Sequence, residues 1–192
     1  MANDVKQRMI ERTALLLAKK GLQGASFSEI LQASGAPRGS LYHHFPGGKD
    51  ELVLAALDFA GTRATDLLAQ TEGKGAAEVA EHFIALWRSV LERSNFSAGC
   101  GVVAVTVAAE EDELRARAAA IFRSWRQRLT QLLEQGGAPP AQAPALAVGL
   151  IAACEGAVIL ARAEQSMAPF DLVAAQQLEA IRAAAVITPL VR

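Results

Sequence analysis

Apolar residues recur along this chain of 192 residues at intervals of three and four, the spacing of one helix face. Val5, Met9, Thr13, Leu16 and Leu17 share a stripe over Asp4–Lys20, and Gly21 supplies its stop. The stretch "SFSEILQASG" predicts a helix of about two turns. Ser26 is its N-cap, Glu29 stands three residues on as the other half of a capping box, and Gly35 ends it. "APRGSLYHHF" predicts a second short helix, ended by Pro46-Gly47-Gly48. Two short helices across a tight turn that contains Gly35 make a helix-turn-helix. A long helix follows from Lys49 to about Gln70, with Leu52, Ala56, Phe59 and Arg63 on successive turns. Breaks at "TEGKG", "SNFSAGCG", "GGAPP" and "SMAPF" separate further helices expected at 76–94, about 101–109, 111–135, 141–165 and 170–187. The one β-like run, Val102–Val107, continues into a helical pattern. The predicted fold is all-α. A three-helix head over residues 1–48 joins a helical body over 49–192.

Charge sharpens that division. The chain holds 19 Lys+Arg against 20 Asp+Glu, a net charge of −1. Residues 1–50 nevertheless carry seven basic side chains (Lys6, Arg8, Arg12, Lys19, Lys20, Arg38, Lys49) against the acids Asp4, Glu11, Glu29 and Asp50. A basic head on an acidic body suits a head that meets a polyanion. Cys100 and Cys154 stand far apart in no zinc spacing, so a reduced cytoplasmic setting is expected, with neither metal nor cofactor. The N-terminus lacks the apolar core of a signal peptide. The longest uncharged run, Gln135–Cys154, is interrupted by Pro139, Pro140 and Pro144 and suits a buried helix better than a membrane span. No catalytic triad or nucleophile elbow is present, so an enzyme is not expected.

The head concentrates its chemistry. Tyr42 is the only tyrosine, and His43 and His44 are two of three histidines. With Leu41 and Phe45 turned inward to dock the helix, Tyr42, His43 and His44 flank that stripe. Ser26, Arg38, Ser40, Tyr42, His43, His44 and Lys49 are donors suited to phosphate oxygens and base edges. Gly39 lets the backbone approach a groove wall, and Lys49 opens a helix whose N-terminus can seat a phosphate.

The stretch "FSEILQASGAPRGSLYHHFPGGKDELVLAAL" resembles the DNA-binding segment of the TetR family of bacterial transcriptional regulators. Phe27, Ile30, Ala33, Gly35, Gly39, Leu41, Tyr42, His44, Phe45, Lys49 and Leu52 carry the resemblance. "YHHFPGGK", "GCGVV" and "EGAVILARAE" are most similar to the LmrA/YxaF-like branch of drug-responsive repressors. The resemblance implies that Arg38, Gly39, Ser40 and His43 face bases in an operator duplex, with Arg38 paired to a guanine. It implies that Tyr42, His44 and Lys49 hold phosphates and that Ser26 caps the preceding helix at the DNA backbone. Two positions depart from the pattern. Pro37 stands where the family usually has a small hydroxyl residue, so that capping contact is expected to be absent or taken by Ser40. Gly101 stands where the branch tends to have proline.

The same resemblance implies a homodimer and a small-molecule effector. One recognition helix reads too few base pairs, and two-fold pairing sets two of them on half-sites. Ala147, Ile151, Val158 and Arg162, with Leu172, Leu178, Ile181 and Ala185, are the expected faces of a bundle between protomers. Phe83, Trp87, Cys100, Val103, Val107, Phe122, Trp125 and Leu129 are the expected walls of an apolar effector cavity. Glu155, an acid inside an apolar helix, either receives a donor of the ligand or pairs with Arg123, Arg126 or Arg162. Gly47-Gly48 is the expected hinge between head and body.

Overall fold

A computed structural model describes residues 2–186. Among them the chain forms α1 (Ala2–Gly24), α2 (Phe27–Ser34), α3 (Arg38–His44), α4 (Lys49–Ala69) and α5 (Ala76–Ser94). These are followed by α6 (Gly101–Ala108), α7 (Asp112–Gln135), α8 (Ala143–Glu164) and α9 (Ala168–Val186). The described residues contain no strand. Gly21 does interrupt α1: its φ of +72° breaks the helix, which resumes for a turn to Gly24. Residue 187, the expected end of the last helix, lies outside the described residues.

The chain divides into two compact units, and the division does not fall at residue 48. The first unit takes the chain up to Arg63 together with Cys100–Phe122; the second takes Ala64–Gly99 and the chain from Arg123 on. In the first unit Met9, Leu17, Ile30, Leu41, Phe45, Leu52 and Leu57 are buried and tie α1 to α4 into one small core. Alpha-helix α6 is packed on α1 by a missing side chain. A Cβ at Gly101 would lie 3.3 Å from Leu17 Cβ and 3.4 Å from the Ala18 backbone nitrogen. Arg117 and Asp58 pair at 3.1 Å between α7 and α4.

The second unit is built around α5, α8 and α9, with Leu91, Leu129, Leu150 and Phe170 buried. Gly136 allows the end of α7 to meet the start of α5: Ala76 N–H donates to its carbonyl at 2.9 Å, and a Cβ there would sit 2.3 Å from that nitrogen. Arg162 of α8 donates to the carbonyls of Phe96 (3.3 Å) and Ser97 (3.2 Å), closing the turn in which Asn95 and Phe96 adopt positive φ. Arg88–Asp171 and Arg182–Glu81, each at 2.6 Å, fasten α9 to α5. Burial, and then the charge of Glu155, push the Cys154 thiol from 9.0 up to about 12.

Candidate nucleic-acid interface

The motif is assembled by local chemistry. Ser26 is extended (φ −73°, ψ 158°), and its hydroxyl accepts the Glu29 N–H at 3.3 Å, satisfying one free donor of α2. The reciprocal half of the capping box is replaced, because the Glu29 carboxylate takes Lys20 Nζ of α1 at 2.7 Å. Gly35 ends α2 at φ +65°, a conformation that favours glycine and turns the chain sharply into α3. Pro37 is the N-cap of α3 and supplies no side-chain bond. Its fixed φ starts the helix without capping it, so the side-chain cap that a small hydroxyl residue would supply is absent here, as the sequence implies.

Leu41 and Phe45 are buried as the spacing predicts, and they dock α3 with its remaining groups outward. Arg38, Gly39 and His43 are exposed, Ser26, Ser40 and His44 half-buried. Tyr42 is 66% exposed, steadied at 6.0 Å from the Phe27 ring. The imidazoles of His43 and His44 meet edge-on at 4.9 Å. Gly39 has no internal reason to be glycine: its φ is helical and a Cβ there would meet nothing within 4 Å. A glycine that costs helix stability without relieving strain or a clash leaves room for something outside the chain.

Two expectations change here. Lys49 is half-buried and donates to the Leu22 carbonyl at 3.0 Å, so in the free head its ammonium is held against α1. Asp50 and Glu51 occupy the first turn of α4, and Glu51 accepts the Gly47 N–H at 2.8 Å, which puts carboxylates where an anion was expected. Gly47 and Gly48 are no loose joint either. Gly48 at φ +79° donates to the Phe45 carbonyl at 2.9 Å, and the pair forms a bonded turn inside the first unit.

Residues 10–56 match the model for bacterial regulatory proteins of the tetR family. Residues 76–176 match the LmrA/YxaF-like C-terminal domain of transcriptional regulators. An uncharacterised HTH-type transcriptional regulator of Mycobacterium tuberculosis is 38% identical over 175 residues, covering 88% of this chain and 89% of that one. The chain belongs to the TetR family. As a TetR-family transcriptional regulator it is not an enzyme, and its helix-turn-helix is a DNA-binding domain. YxaF of Bacillus subtilis, also named a transcriptional regulator, is 27% identical over 90% of this chain and 93% of its own. A TetR regulator from Chloroflexus aurantiacus superposes with a TM-score of 0.79 at 28% identity, over 94% of this chain and 96% of that one. The regulatory protein TetR from Rhodobacter sphaeroides gives 0.80 at 27%, over 90% and 96%.

Within this TetR-family chain the expected cavity residues fall in both units. Phe83 and Trp125 are buried, and Trp87 and Glu155 half-buried, in the second. Cys100, Val103 and Phe122 are half-buried in the first, where Cys100 Sγ accepts the Val103 N–H at 3.4 Å as the N-cap of α6. Val107 does not line a cavity wall: near the end of α6 it is 79% exposed.

The expected dimer stripe is also corrected. Ala147, Ile151, Val158 and Ile181 are buried within their own chain, Leu178 is half-buried, and Arg162 is occupied with the Phe96–Ser97 turn. The outward face of α8 and α9 carries instead Val148 (43% exposed), Ile159 (57%), Leu160 (49%) and Leu172 (75%). On a helix apolar all round, periodicity cannot name the inward side. Of these four, only Leu172 was legible from sequence.

Proposed function

We propose that the chain is a cytoplasmic homodimeric repressor that reads a palindromic duplex operator with α3 and is released by a small apolar or aromatic effector. The observation that carries the reading is α3 itself, whose inward groups are Leu41 and Phe45 and whose outward set is Arg38, Gly39, Tyr42 and His43. Arg38 reaches a guanine edge, Tyr42 and His44 phosphates, and the bare Gly39 backbone permits close approach. Val148, Ile159, Leu160 and Leu172 are the apolar groups that a second copy would cover, giving the two-fold pair that half-sites require. Gly156 supports the same face, since it is exposed within α8 and a Cβ there would meet nothing. The aromatic groups Phe83, Trp87 and Trp125 favour a flat or apolar effector, which acts by binding one spacing of the heads better than the other.

Selection of bound sequences from a random duplex pool tests this reading. An inverted repeat with half-sites about 10–10.5 base pairs apart, or a multiple of that, is the expected result. A pool that shows no enrichment at low salt contradicts it.

A further inference from the structure

The imidazoles of His43 and His44 meet edge-on at 4.9 Å, and that is the contact their rings make. Among the described residues neither ring forms a hydrogen bond or has a carboxylate within 4.0 Å. His82 differs, with its Nε2 at 3.0 Å from the Leu67 carbonyl oxygen. His43 stands two residues from each of the buried anchors Leu41 and Phe45. Successive residues of a helix turn by about 100°, so His43 lies on the far, exposed side, with half-buried His44 on the flank.

The charged groups of the elements packed around α3 are engaged elsewhere or are cations. On α2, Glu29 is tied to Lys20 of α1 at 2.7 Å. On α1, Asp4 is tied to Arg8, Glu11 accepts from Gln7 at 3.0 Å, Lys6 lies over the Phe45 ring, and Arg12 and Lys19 are exposed. At the start of α4, Glu51 accepts the Gly47 N–H, with Lys49 and Asp50 beside it in sequence, and Arg38 opens α3 itself. In the free head the carbonyl end of α3 favours an ionised ring, and the cations oppose it. A first proton on the touching pair also disfavours a second.

We propose that the His43–His44 pair takes up a proton from solvent when the head meets a duplex, so that operator occupancy responds to pH. The proposal rests on the DNA-binding reading above. Imidazole is the side chain whose charge ordinarily changes between pH 5 and 8. A phosphate at contact distance favours the ionised ring by the equivalent of about one to three pH units. Both ring nitrogens of an imidazolium donate, and phosphate oxygens and a guanine edge accept. Because the duplex selects the protonated form, affinity rises as pH falls.

The test is the anisotropy of a fluorescent mixed-sequence duplex at fixed ionic strength from about pH 6 to pH 8. It compares wild type with the double variant His43→Gln, His44→Gln, each protein being melted alone at both ends of the range. Wild type is expected to bind about tenfold more tightly per head at the lower pH. Its slope of log affinity against log salt is expected to be steeper there by about 0.9 per head. The double variant is expected to lose both differences, whatever its absolute affinity. Calorimetric titration of wild type in two buffers of different ionisation enthalpy reads the same proton without any substitution, as a net uptake on binding. A wild-type affinity that does not change with pH, a double variant that keeps the wild-type dependence, or binding without proton uptake overturns the proposal and leaves the regulator reading intact. If wild type binds no duplex at any pH or salt, the regulator reading itself fails and the proton linkage with it.

Discussion

Helices α3 and α8 are opposite cases of one problem, how a helix divides its surface between its own core and a partner. The seven residues of α3 include one apolar anchor, Leu41, followed by Phe45, and everything else is polar or bare backbone. Its inward side is therefore unambiguous, and what remains outward is free for DNA. Over its 22 residues α8 is apolar or small almost throughout, long and apolar enough to satisfy the length and composition of a membrane span. Its inward side is chosen by packing against α5 and α9, which no spacing within α8 reveals. A polar helix with one anchor declares its function in sequence, whereas a uniformly apolar one declares only that it is covered.

The contrast can be broken at its inward residues, where the largest effects are expected. Phe45→Ala should destabilise the folded chain by about 3–5 kcal/mol and Ile151→Ala by about 2–5 kcal/mol, read as urea midpoints. Tyr42→Ala, on the outward side of α3, should change stability by less than about 0.5 kcal/mol while weakening duplex binding. If Tyr42→Ala were as costly to the fold as Phe45→Ala, α3 would not be the open helix described.

Outward residues of α8 give the next effect. Ile159→Glu combined with Leu160→Glu removes at least about 1.5 kcal/mol of apolar burial per protomer from an interface. Sedimentation should then show dimer association weakened by more than about tenfold, with the fold of each protomer retained. An unchanged association constant would place the partner face elsewhere.

Gly39 and Gly156 sharpen the comparison, because each is a helical glycine with open space where its Cβ would be. Alanine at either position should stabilise the isolated chain by about 0.5–1 kcal/mol. Gly39→Ala should nevertheless weaken duplex binding, and Gly156→Ala should weaken dimerisation. A gain in stability without any loss of either function would mean that nothing approaches those backbones.

The smallest effect concerns pH. The Cys154 thiol is held neutral in the folded chain, its value raised from 9.0 to about 12 chiefly by burial. Because the unfolded thiol ionises first, the stabilisation is complete below pH 9.0 and is lost as pH rises toward 12. Urea midpoints should fall over that window, and Cys154→Ala should remove this part of the slope. A wild-type slope equal to that of the variant would show that the thiol is not shielded.

Much of this was legible in the residues. The helical order, the Gly35 turn, the Ser26 cap and the inward pair Leu41–Phe45 follow from local chemistry, and each is where its spacing puts it. The misreadings arose where one side chain had two plausible partners. Glu29 could complete a capping box or take Lys20, and Lys49 could seek a phosphate or the Leu22 carbonyl. Both were decided by how closely α1 lies against the motif. The contact of Lys6 with the Phe45 ring joins residues 39 positions apart, a pairing that no local pattern encodes. The register of Ala147, Ile151 and Val158 failed for the reason given for α8.

The most direct measurement is the base-by-base preference of Arg38→Ala against wild type on the selected operator. Loss of about 1–3 kcal/mol of discrimination at one guanine per half-site, with the other positions unchanged, is the result this account predicts. An identical preference profile in the two proteins would contradict it, since α3 would then not be the helix that reads the groove.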